Sequence, residues 1–201
     1  MSSELAANAE VPESHARVLE AAWNLVAEKR ISDVTLAEVA KRAGVSRQAV
    51  YLFFGGRAGL LTALTLHVDR KSGIREKFAE AIEQGPARHA IAQVVRFWFD
   101  YLPLIDPIAF ALTGASATDS DAREAWQTRM NGLRGLYRRL TRNLNREGQL
   151  AEGWTESDAA DFIYAQCHYL TWRSLVIDCG WSNAKATDCV VQTILGNIAK
   201  G

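Results

Sequence analysis

Apolar residues recur at intervals of three and four along most of this chain, and nowhere do they alternate with polar ones over the length of a strand. That period puts apolar side chains on one stripe of a helix. Val18, Ala22, Leu25 and Val26 mark a first helix over about 14–29, with Ser14 placed to cap it. Thr35 followed by Glu38 has the spacing of a capping box, in which hydroxyl and carboxylate serve each other's free backbone N–H groups. A short helix over about 36–42 follows, burying Leu36, Val39, Ala40 and then Ala43. Gly44 ends it at a position where a left-handed residue is cheap. Ser46 caps a third helix that runs to Phe53 or Phe54, and Gly55-Gly56 is the next break. Helical patterns then cover about 57–83, 87–102, 104–115, 121–147, 156–178 and 183–199. They are separated by Gly85-Pro86, Pro103, Thr118-Asp119-Ser120, Gly153 and Gly180. The expectation is an all-α chain of about nine helices. Residues 1–13, polar and carrying three glutamates, are expected to be loose.

Composition narrows the classes. The 201 residues are 48% hydrophobic, enough for a substantial core, and Lys+Arg and Asp+Glu are both 23. With no net charge, any electrostatic site must be local. The start, MSSELAANAEVPES, lacks the basic and apolar runs of a signal peptide, and no window approaches the ~18 apolar residues of a membrane span. Cys167, Cys179 and Cys189 are too few and too scattered for a disulfide framework or a zinc motif, which fits reduced thiols in a cytoplasm. A redox-sensing thiol is the sharper alternative. His15, His67, His89 and His168 show no metal-ligand spacing, so no metal or cofactor is expected.

The local site is residues 42–57, RAGVSRQAVYLFFGGR. Two short helices joined by a turn containing Gly44 form a helix-turn-helix, in which glycine lets the helices cross closely. With Val45 and Val50 turned inward, the third helix presents Arg47, Gln48, Tyr51 and Leu52 outward. Arg forks onto guanine and Gln onto adenine in the major groove of DNA. Tyr51 and Arg57 are candidates for phosphate, as are the helix starts at Thr35 and Ser46. Between Glu38 and Asp69 the charged residues are Lys41, Arg42, Arg47 and Arg57 with no acid among them, a local +4. The plainer alternative is a solvated helical hairpin.

From Val18 to about Leu64 the chain resembles TetR-type transcriptional regulators. The resemblance rests on AAWNLVAE, on TLAEVAKRAGVS, on a helix holding Tyr51 and an aromatic pair, on a basic residue at Arg57 and on GLLTAL. It implies a DNA-binding domain over 14–56 and a domain for ligand binding and dimerisation over 57–201. Four positions depart from the family. Arg30 stands where glycine often closes the first helix, at about 1 kcal/mol if the backbone there is left-handed. Ala49 replaces Thr or Ser, Phe53 replaces His, and Gly59 replaces a helix former. The acidic N-terminal arm argues against a minor-groove contact beyond Arg17.

The rest of the chain carries its own signs of that second domain. Between Ala159 and Ile177 only Asp161 and Arg173 carry full charge, and apolar residues surround the helix on most sides, so more than one face must be covered. A second copy is the economical cover. Ala186, Val190, Ile194 and Asn197 on the last helix complete the expected homodimer interface, which would hold two recognition helices against a palindromic site. Aromatic residues hint at a pocket for a small lipophilic or aromatic effector: Trp98 and Tyr101, Trp126 and Met130, then Tyr164, His168 and Trp172. Ordinary core is the competing account of each. Arg134, Arg138, Arg142 and Arg146, with Arg129 and Arg139 nearby, make a basic stripe that is either a solvated face or a site for an anion or an acidic protein. The combined expectation is a ligand-responsive repressor and not an enzyme, since catalytic motifs are missing. The alternatives are a helical enzyme, or an interaction module without specific DNA binding.

Overall fold

The structure, a computed structural model, describes residues 13–200. The expectation of a loose N-terminus concerns residues that, apart from Glu13, lie outside that range. The helices are α1 (Glu13–Glu28), α2 (Leu36–Ala43), α3 (Arg47–Phe54), α4 (Arg57–Ser72), α5 (Ile74–Glu83), α6 (Ala87–Ala115), α7 (Ser120–Arg146), α8 (Glu156–Gln166), α9 (Tyr169–Arg173) and α10 (Asn183–Ile198). A 3-10 turn spans Ile31–Asp33, and a π-helical turn, Ser174–Asp178, continues α9. The chain is all-α. With 156–178 taken as one interrupted rod, the described residues form nine. The only β pairing among them is a bridge between Leu150 and Ala199.

The rods depart from the periodicity in three places. Gly73, at φ 64°, splits the pattern over 57–83 into α4 and α5. Pro103 does not end a helix: α6 runs through it and through Pro107. Proline removes one backbone donor and crowds the preceding turn. Here Phe99, Leu102, Ile105 and Ile108 around it are all buried, and their packing outweighs that local loss. The rod over 156–178 breaks at Cys167 and His168, where the backbone turns extended at His168 (ψ 140°) before α9 begins. Ser14 caps nothing, since α1 already starts at Glu13.

The described residues form two compact units, one of residues 13–67 and 110–126 and one of residues 68–109 and 127–200. Compactness therefore draws its line differently from the sequence division at residue 56. In the first unit α1, α2 and α3 pack together, and α4 adds Leu60, Leu61 and Leu64 to a core of Val18, Leu19, Ala22, Val39, Ala40 and Val50. Each fully buried leucine or valine contributes roughly 1.5–3 kcal/mol relative to an exposed one. In the second unit Trp98, Phe99, Leu102, Tyr137, Leu140, Ile163, Tyr169, Trp172 and Ile194 are almost wholly inaccessible. Among the described residues no single helix is long and apolar enough to cross a membrane. No group of three or more His, Cys, Asp or Glu among them could hold a metal ion.

Candidate functional site

The helix-turn-helix forms as its sequence signals require. The Thr35 hydroxyl accepts from the Glu38 N–H at 3.3 Å, and the Glu38 carboxylate accepts from the Thr35 N–H at 3.2 Å. Lys29 also donates to Glu38 at 2.6 Å. That ammonium, and next the Thr35 bonds, hold the Glu38 carboxyl down at about 2. Gly44 closes α2 at φ 68°, and the Ser46 hydroxyl accepts from the Ala49 N–H at 3.0 Å to open α3. The outward face of α3 is the expected one. Arg47 and Gln48 are exposed, Tyr51 is 59% exposed and Leu52 76%. Arg47 makes no ion pair among the described residues. An open cleft of about 790 Å³ lies beside it, lined by Thr35, Leu36, Ala37, Arg57 and Ser120.

Arg57 is a correction. Its guanidinium does not lie free for a phosphate. Nε donates to the Val34 carbonyl at 2.9 Å, and a terminal nitrogen donates to the Ile31 carbonyl. The other terminal nitrogen reaches both Asp119 oxygens at 2.9 and 2.8 Å. The two side chains are only 17% and 14% exposed. The local +4 is likewise reduced in space, because Glu28 accepts from Arg42 at 2.6 and 2.8 Å. A window of sequence counts charges that the fold has already matched. Arg30 carries no left-handed strain, since it sits at φ −59°. Gly59 has a steric reason: a Cβ there would lie 1.8 Å from the Phe54 carbonyl oxygen. Phe53 is half-buried, edge-on to His15 at 5.7 Å.

The second unit holds a buried polar cluster among the predicted aromatics. Asp69, near the end of α4, accepts from Tyr101 Oη at 2.6 Å and from Arg129 at 2.8 and 2.9 Å. The Arg129 guanidinium lies over the rings of Trp98 and Tyr101, 5.5 and 5.6 Å from their centroids. Trp98 Nε1 donates at 2.8 Å to the Cys167 carbonyl, which the break between α8 and α9 leaves open to it. Tyr137 lies against the Cys167 thiol, and burial pushes its hydroxyl well above the usual range. Burial also pushes the Cys167 thiol up to about 12, which removes it as a redox-reactive candidate. Tyr164 and His168 pack edge to face at 5.7 Å. His168 Nδ1 caps α9 by accepting from the Leu170 N–H, and burial lowers its basicity. Met130 is buried in the same unit, whereas Trp126 is buried in the first. Trp172 is held by Asn183 at 2.8 Å. Arg129 therefore does not belong to a surface stripe. Of the others, Arg134 covers Tyr164 at 4.4 Å, and Arg142 lies 3.9 Å from Glu156.

Known proteins decide what the first unit is. Residues 18–64 match the family model "Bacterial regulatory proteins, tetR family". Over those residues the chain is similar to the DNA-binding part of TetR regulators. The HTH-type transcriptional regulator SrpR of Pseudomonas putida is 39% identical over 56 residues, 28% of this chain and 26% of SrpR, so the chain matches about a quarter of that relative's length. Likeness of fold extends further. The structure titled SmeT–triclosan complex superposes with a TM-score of 0.71 at 19% identity, over 93% of this chain and 92% of that one. NalD, described as the secondary repressor of the MexAB-OprM multidrug efflux pump in Pseudomonas aeruginosa, gives 0.71 at 21% identity over 95% and 99%.

On this TetR fold the predicted interface residues of α10 need correction. Ala186 and Ile194 are 0% exposed and Val190 3% within the single chain, so they fill its own core and cannot meet a second copy. Asn197 is exposed, with its amide on the Thr193 carbonyl. Heptad-like spacing identified an apolar stripe but not which body it faces. Asp69 and Tyr137 were missed because a lone acid in a basic helix end and a tyrosine in an arginine-rich helix read as surface.

Proposed function

We propose that this chain is a ligand-responsive TetR-type repressor that binds a palindromic DNA site as a homodimer. The observation that carries the reading is the outward face of α3. Arg47, Gln48, Tyr51 and Leu52 stand exposed on a helix fixed at both ends, and Arg47 has no ion-pair partner among the described residues. Arg47 and Gln48 are assigned to base edges. Tyr51 and the N–H groups of the first turns behind Thr35 and Ser46 are assigned to phosphates, while the two hydroxyls are already engaged as caps. Arg57 is withdrawn from the contact set.

The dimer face is assigned to the rod over 156–178, where Leu170 and Ile177 remain 44% and 50% exposed. The effector is read as a lipophilic or aromatic molecule bound near Trp98, Tyr101, Met130, Tyr164 and His168. The fold-mates support this by analogy: one is titled as a complex with triclosan and another as a repressor. Binding would lower DNA affinity only through unequal affinity for two head arrangements, and a tenfold release needs about 1.4 kcal/mol of it.

Selection from random double-stranded DNA tests the reading. Wild type should recover a two-fold symmetric sequence. Arg47→Ala or Gln48→Ala should relax preference at one position in each half by about 1–3 kcal/mol. Recovery of no preferred sequence overturns the proposal.

A further inference from the structure

Leu52 stands 76% exposed on α3, and the positions that could cover it carry little. A helical residue is flanked on its own face by those three and four positions away. On the C-terminal side of Leu52 these are Gly55 and Gly56, and a Cβ built on either meets nothing within 4 Å. On the N-terminal side they are Gln48, exposed, and Ala49, half-buried. Helical side chains lean toward the N-terminus, so the isobutyl group of Leu52 leans toward the turn that carries Gln48. The helix presenting the pair is held by the Ser46 hydroxyl at its start and by the Gly55 N–H on the Tyr51 carbonyl, at 2.7 Å, at its end. A lone exposed leucine is ordinary on a protein surface. This one shares its face with Arg47, Gln48 and Tyr51, the residues assigned to DNA. Among the described residues of α1–α4, Tyr51 is the only other large apolar side chain so exposed, so the face is no apolar patch for a protein partner.

We propose that Leu52 reads the 5-methyl group of a thymine in the major groove, about one or two base pairs from the adenine assigned to Gln48. The inference rests on the DNA-binding reading given above and adds an apolar contact to its polar ones. Groove chemistry selects the base. The thymine methyl is the apolar group that the major groove offers, whereas cytosine and adenine present amino groups there and guanine presents acceptors. Leucine over one of those polar groups would strip water from it and return no hydrogen bond. Leucine over the methyl removes apolar surface from water on both sides. Spacing sets the register. Cβ atoms four positions apart on a helix lie about 5–6 Å from each other, and base pairs stack at about 3.4 Å, so the contacts of Gln48 and Leu52 fall one or two pairs apart. The expected half-site therefore holds an adenine with a thymine, on either strand, at that distance from it.

Deoxyuridine tests this, because it keeps the pairing of thymidine and lacks only the methyl group. The site that the full chain recovers from random double-stranded DNA is remade with deoxyuridine in place of each thymidine in turn, and binding is followed by fluorescence anisotropy at one salt concentration. One replacement in each half-site, within about two pairs of the position that Gln48→Ala relaxes, should weaken wild-type binding about fourfold per half, the effect of one buried methyl group. For Leu52→Ala the same replacement should leave affinity unchanged, and the melting temperature should match wild type because the side chain is exposed. Deoxyuridine sites that all bind wild type as tightly as the thymidine site overturn the proposal and leave the DNA-binding reading standing. A methyl effect of equal size in wild type and in Leu52→Ala overturns it in favour of another side chain. A methyl effect confined to thymines farther from the Gln48 position also overturns it, because the register is part of the proposal. Recovery of no preferred sequence overturns it together with the repressor reading.

Discussion

At Gly59 the reason for the residue is a neighbour's backbone. A methyl group there would sit 1.8 Å from the Phe54 carbonyl oxygen, and neither backbone is free to retreat without moving α3 or α4. Gly59→Ala should therefore lower stability by about 1–3 kcal/mol in urea denaturation, although alanine is the better helix former. Arg57 is a second case in which the contact outranks the type. Arg57→Ala removes three attachments and leaves Asp119 without its cation. The pair retains some access to solvent, so the expected loss is about 1–3 kcal/mol, below the ~3–5 kcal/mol of a fully enclosed pair. The slope of log affinity against log salt on DNA should stay as in wild type, whereas an arginine on a phosphate would lower it by about 0.9. Neither role was legible in the sequence, because each depends on an atom brought close by the fold: five positions away for Gly59, and 62 away for Arg57.

The elements were legible where local chemistry decides them. Thr35 with Glu38, Ser46, Gly44 and Gly55 act within a turn of their own position, and the caps of α2 and α3 appear where the residues indicated. The capping box gives a pH prediction. The Glu38 carboxyl is held at about 2 against an ordinary 4.5, so the contribution of its charge to stability is complete above the ordinary value and is lost as pH falls toward 2. Wild type should melt above Glu38→Gln at pH 6, and the gap should close by about pH 2. A gap that does not change with pH would mean that the carboxylate charge is not what the box uses. Local signals misled where tertiary packing competes with them. Pro103 reads as a stop, yet its helix continues because buried neighbours on both sides hold it. Cys167 and His168 carry no breaking signal, yet the rod interrupts there, and the carbonyl so released takes the Trp98 donor.

For the whole molecule, the inner and outer faces of the last helices separate two kinds of failure. Ile194→Glu puts a charge into the chain's own core and should unfold it, seen as loss of helical signal. Ile177→Glu changes a half-exposed position and should leave the melt nearly intact while sedimentation shifts from dimer to monomer. A dimer that survives Ile177→Glu together with Leu170→Glu would place the interface elsewhere. The first unit also draws on chain from two places. Asp119 accepts from the N–H groups of Asp121 and Ala122 at 3.1 and 3.2 Å while holding Arg57, so one carboxylate starts α7 and braces the stretch ahead of α2. Modular transplantation then has a rule. A recognition head cut after residue 67 and grafted onto a foreign partner leaves behind the acid that its arginine was built around. A graft that also supplies an acid in place of Asp119 should keep wild-type DNA affinity at higher temperature than one that does not.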